Sequence, residues 1–386
     1  MPEAARYHRK LNRCVAALLL SALAGTSCAP PGPVVEELDV SVERIDGAPL
    51  PMRSEHTAVL SDAGNVITWG GESLAGTGRR ADGAVFDIDA SRWEPLSPSP
   101  LAPRTRHVAV WTHEGMLVWG GAATEGSLSP ASDGAIYDPE ADAWSRISDA
   151  PVGMRSAMAV TSGSWVVIGG GDTDGGGRRT LLLYSVDADQ WSRIRVPLRI
   201  EAMSAADEGT VIVTGGGDDG AVAVYRVRLA SEQLEAIPVD GDRGDAPDGL
   251  GAAAAPDGTV YITTTSSRAT RLMRVEPDSG TARVRTFPDV GFMAPVDVRQ
   301  SPLNRGRMWW HAGRLVSEAV GHVTTIDPES GDMAATALYN ITDDHYCGAG
   351  APAVMRGATI VVWSGKNCYE GDASLVKRGV AVKLPE

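Results

Sequence analysis

The sequence predicts an all-β chain folded as one β-propeller of seven blades. Three observations lead there. Landmarks recur about every 50 residues, each repeat holds four short apolar runs, and no segment shows a convincing 3.6-residue period. A small four-stranded sheet cannot bury both faces until neighbours stack on it, so such a unit repeated at this spacing implies a ring.

A shift of 51 residues lays Arg53 on Arg104, Arg104 on Arg155, His56 on His107 and Trp93 on Trp144. Trp69-Gly70-Gly71, Trp119-Gly120-Gly121 and Ile168-Gly169-Gly170 each close an apolar run, and Phe86, Tyr137 and Tyr184 precede Trp93, Trp144 and Trp191. In the second copy the expected strands are 107–111, 116–119, 134–137 and 143–147, separated by Gly, Asp, Pro and Ser clusters.

Weaker copies follow at 211–227, 260–275, 308–326 and 359–384. Over residues 53–386, seven units average about 48 residues and six about 56; the observed spacing favours seven, with six as the alternative. The final unit has only three strands. Residues 40–45, with Val42 in the place of Trp93, supply the fourth and remove the open edge that would invite aggregation.

The pattern Arg-x-x-His, apolar strand, diglycine, aromatic-Asp, Trp resembles the kelch repeat. The resemblance implies a diglycine turn after the second strand, tryptophans packed between blades, and partners bound at the face carrying the fourth-to-first and second-to-third connections. On that face the binding candidates are Arg53, Arg104, Arg155, His56, His107, Glu72 and Asp172. The competing role for the repeated Arg and His is architectural, with loop carbonyls as their partners.

A binding or protein-interaction module is the expected function. The alternative is a saccharide enzyme similar to sugar-acid mutarotases or galactose oxidases, with Arg53, Arg104 and Arg155 gripping an anionic sugar. Tyr346 beside His345 is the only local hint of a copper site, and the histidines form no short paired spacing. No metal or cofactor is expected.

The amino terminus reads as an address. Arg6, Arg9, Lys10 and Arg13 precede the apolar stretch 14–24, which fits a signal peptide over residues 1–27. Ala22-Leu23-Ala24 suits signal peptidase, whereas residues 24–28 resemble a bacterial lipobox ending at Cys28, which would carry the lipid. A proline-rich tether over 28–39 and a propeller over 40–386 complete the expected organisation. The expected location is the cell envelope, as a lipoprotein at the outer face of the cytoplasmic membrane, with secretion as the alternative. The membrane would be reached only through Cys28, and a monomer is expected.

Charge and cysteine usage agree with that reading. Residues 1–27 hold four basic residues and one acidic one, so their removal takes the net charge from -14 to -17. Such a surface argues against nucleic acid and anionic lipid as partners, protein or glycan remaining. With Cys28 acylated, Cys347 and Cys368 are left as a disulfide pair across one blade, worth about 3 kcal/mol in the loop-entropy account.

Other motifs weaken on inspection. The glycine runs 169–171 and 175–177 lack the Gly-Lys-Ser/Thr ending of a phosphate loop, residues 71–75 open no helix as a nucleophile elbow must, and the acidic loop 240–249 departs from calcium-loop spacing.

Overall fold

The computed structural model describes residues 35–73, 78–123, 127–174, 177–244, 250–266, 269–288, 307–319, 321–338, 351–365 and 378–385. Residues 33–386 cluster as one compact unit. Seven antiparallel sheets over 57–95, 108–146, 158–195, 199–237, 250–288, 307–337 and 353–383 form blades one to seven. In blade one the order from the axis outward is Thr57–Leu60, Val66–Trp69, Gly83–Asp87 and Arg92–Pro95.

The second strands explain why their hydrophobicity runs continuously instead of alternating. Val66–Trp69 and Gly115–Trp119 are buried along their whole length because both faces of each blade meet a neighbour. Leu117, Trp119 and Ile136 of blade two thus share a core with Val166, Ile168 and Leu182 of blade three.

Ser41–Ile45 pairs antiparallel with Gly379–Lys383, placing Val42 opposite Val382 and closing blade seven as the sequence predicts. The expected tether gives up its end to the ring. Val35–Glu37 lies parallel beside Met333–Ala337 of blade six, and buried Leu38 packs in the core that joins blades six and seven. Val239–Asp240 adds a similar parallel strand to blade five. Strands of three and two residues leave no periodicity to read.

The two ends of the ring differ. At one, tight turns such as 113–114, 163–164 and 312–313 join first to second strands, and 139–142 and 186–189 join third to fourth. At the other run the connections 96–107 and 147–157 and the described parts of 70–82, 120–133 and 170–179. Long loops on one end of a rigid scaffold are where binding residues are usually carried.

Candidate binding face and channel

Arg53 and Arg104 are fully buried and make the same set of contacts, one blade apart. Arg53 donates from Nε to the Pro51 carbonyl, from Nη1 to the Gly70 carbonyl, and through Nη1 and Nη2 to both Asp82 carboxylate oxygens at 2.9 and 3.0 Å. Arg104 repeats this with Ala102, Gly120 and Asp133. Every guanidinium nitrogen is engaged inside its own blade. These two residues, expected as binding candidates, are clamps that tie the loop before the first strand to the loop after the second. The aspartates were legible, since Asp82 falls on Asp133 at the same shift of 51.

Arg155 is not a third clamp. Glu55, Arg106 and Ser156 all take positive φ, 55°, 58° and 53°, and directly precede His56, His107 and Ala157. That register puts Met154 in the clamp position, and Gly121 N donates to the Met154 carbonyl as Gly71 N does to that of Arg104. Strand pairing places Thr180 where Asp82 and Asp133 stand, so blade three has lost both partners of the clamp together. Its diglycine is likewise Gly170-Gly171 and not Gly169-Gly170, with φ of 71° at Gly70 and Gly170 and 72° at Gly120. Arg155 instead lies beside Asp172, 4.0 Å away, which Arg178 contacts at 3.3 Å.

The diglycine and the histidine fit each other. A Cβ on Gly70 would stand 2.6 Å from His107 Cε1, and one on Gly71 would stand 2.6 Å from the Ser54 carbonyl. Glycine supplies both the positive φ and the close approach. His107 sits edge-on to Trp69 at 5.1 Å and hydrogen-bonds Thr57 Oγ1 at 2.8 Å; His56 sits edge-on to Trp363 at 5.5 Å. Burial, reinforced by Arg104, pushes the His107 imidazole down to about 3. Burial also holds His56 well below its ordinary value, with Arg53, His107 and Arg307 acting in the same direction. Both rings are neutral at physiological pH.

The outer tryptophans pack between blades as expected. Trp93 meets Trp363 at 5.3 Å, Trp144 meets Trp69 at 5.9 Å and Trp191 meets Trp119 at 5.3 Å. Tyr137 and Tyr184 donate to Asp142 and Asp189, which also accept from Ser97 and Ser148 of the preceding unit. Blade one carries Phe86 and Ser91 at these two places, again a paired replacement.

Other predicted residues fall on the long-loop face without converging on one point. Glu72 bridges Ser54 through its backbone, and Glu55 accepts from Thr105 Oγ1 and Arg106 Nε. Asp242 of the acidic loop accepts from Arg271 at 2.8 Å, and Asp219 from Arg243 at 3.1 Å. Among the described residues, no group of three or more His, Cys, Asp or Glu is arranged to hold a metal. Cys28, His345, Tyr346, Cys347 and Cys368 lie outside the described residues.

The seven inner strands enclose an axial channel of about 740 Å³. His56, His107 and Arg307 line it at the long-loop end, and Leu60, Trp111, Trp310 and Met355 at the tight-turn end. Arg307 donates to the Ala353 carbonyl and stands opposite Glu318 in the strand pair. Burial pushes the Glu318 carboxyl up to about 7 against the pull of Arg307 and a hydrogen bond from Gly321 N.

Residues 34–216 match the family model described as the KLHDC2/KLHL20/DRC7 Kelch-repeats domain. Two proteins of Arabidopsis thaliana are similar over part of the chain. Acyl-CoA-binding domain-containing protein 5 is 30% identical over 184 residues, covering 42% of this chain and 27% of that protein; Acyl-CoA-binding domain-containing protein 4 is 29% identical over 152 residues, covering 36% and 21%. The chain thus spans about a quarter of the length of these relatives. It is a seven-bladed β-propeller whose residues 34–216 match the kelch-repeat family.

Proposed function

We propose that this propeller is a binding module that takes a protein partner on its long-loop face. The observation that carries the reading is the asymmetry of the ring. Its clamps, diglycines and tryptophans lock the blades, while the long connections gather at one end, together with Met52 and Leu128, which are exposed large apolar side chains. Exposed apolar groups on adaptable loops suit a protein interface. The saccharide-enzyme reading needed Arg53, Arg104 and Arg155 to converge on a ligand carboxylate, and the first two are held inside their blades.

The export signal and the sequence around Cys28 support a location in the cell envelope by lipid anchoring, with secretion as the alternative. Intact-mass analysis of the native protein tests it: a diacylglyceryl mass on Cys28 is expected, and a chain retaining Met1 overturns export. The partner face is tested with a photo-crosslinking residue at Leu128 or, on the tight-turn face, at Glu140. Adducts confined to Leu128 are expected, and adducts confined to Glu140 overturn the reading.

A further inference from the structure

We infer that the axial channel is a binding site for a slender amphiphile, a medium-chain alkyl carboxylate, seated with its head at the long-loop mouth and its chain along the axis. This goes beyond the loop-face reading and uses different residues.

The wall carries the argument. Alanine and methionine dominate it, as at Ala109, Ala205, Met158 and Met308, with Trp111 and Trp310 towards the tight-turn end. Small side chains leave room along the axis, and methionines adapt their shape to an irregular guest. The volume of about 740 Å³ is that of an ordinary small-molecule site. Charge among the described lining residues is confined to one end. Among the described residues, Arg307 is the only charged side chain in the lining and no acid lines it, in a protein whose net charge is -14. At the same end stands His56, nine-tenths buried, with neither ring nitrogen hydrogen-bonded among the described residues. A carboxylate head would accept from both groups, whereas a cationic head would meet the guanidinium. The tight-turn end carries no charged side chain among the described residues, which selects a ligand with one charged head.

Titration calorimetry of the full chain with hexanoate, octanoate and decanoate, all below their aggregation concentrations, tests this. Burial of each methylene is expected to tighten binding about fourfold, with a heat-capacity change that grows more negative along the series. Octyltrimethylammonium is expected to bind at least tenfold more weakly than octanoate. Ala205→Leu and Ala109→Leu, each narrowing the channel, are expected to weaken decanoate at least tenfold while near-ultraviolet circular dichroism is unchanged. The inference is overturned by affinities independent of chain length, by a cationic head that binds as well as the carboxylate, or by folded filler variants that bind decanoate normally. Should the fillers not fold, the two ligand comparisons on the unaltered protein still decide.

Discussion

Ser364 Oγ is hydrogen-bonded to both backbone polar groups of Arg53, accepting from its N–H at 3.0 Å and donating to its carbonyl at 2.9 Å. The pair joins blade seven to blade one, where the ring closes. Ser364 stands where blades one to three have the first glycine of the pair, and it holds a φ of 61° that costs a non-glycine residue about 1 kcal/mol. The hydroxyl offsets that cost by satisfying two buried backbone groups. Ser364→Ala keeps the strain and loses both bonds, so a loss of about 1–3 kcal/mol is expected by chemical denaturation. Ser364→Gly removes the strain as well and is expected to be the milder change.

Blade three shows how a clamp can be dispensed with. Met154 and Thr180 replace the Arg and Asp together, so neither a buried charge nor an orphaned acid remains. Asp133→Thr alone, which strips Arg104 of its carboxylate, is expected to cost about 3–5 kcal/mol. Arg104→Met with Asp133→Thr is expected to cost at least 1 kcal/mol less than the sum of the single changes. A double-mutant cycle by urea unfolding measures it.

Stability should respond to pH through the buried histidines, His56 and His107, on one side and Glu318 on the other. His107 titrates near 3 when folded and near 6.5 when unfolded, so folding releases its proton and stability falls as pH drops from 6.5 towards 3. Glu318 titrates near 7 when folded and near 4.5 when unfolded, so the folded state holds the proton more tightly and stability falls as pH rises from 4.5 through 7. His107→Gln is expected to lessen the slope of the acid limb, His56 supplying the rest, and Glu318→Gln that of the neutral one, each by up to about 1.4 kcal/mol per pH unit. Denaturant titrations between pH 4 and 8 read both slopes.

The two amino-terminal strands make a separable prediction. A chain beginning at Val35 is the reference. Removal of residues 1–39 takes away the strand Val35–Glu37 and Leu38, and a fall of several degrees is expected by scanning calorimetry.

What the sequence disclosed follows the physics of each position. The diglycines of blades one and two and the tryptophans were legible because a positive φ and an inter-blade contact tolerate few residue types. The clamp register in blade three was not, because identity drew Arg155 onto Arg104 while the backbone places Met154 there; the positive φ at Ser156 that settles it leaves no mark on a serine. Blades four to six were faint because β-branched and small residues stack without a fixed motif. The site was less legible than the fold. Arg53, His56, Arg104 and His107 stood out through repetition, and repetition marked architecture. Arg307 and Ser364, which occur once, gave no signal.

The central claim is that the repeated arginines hold the ring and that the long-loop face meets the partner. The most direct measurement follows adduct formation from a photo-crosslinker at Leu128 in two backgrounds, the natural sequence and the folded Arg104→Met, Asp133→Thr variant. Equal adduct yields are predicted, with none from Glu140. Loss of the Leu128 adduct in a variant that remains folded would contradict the account, because it would show the clamp arginine acting on the partner and not on the blade.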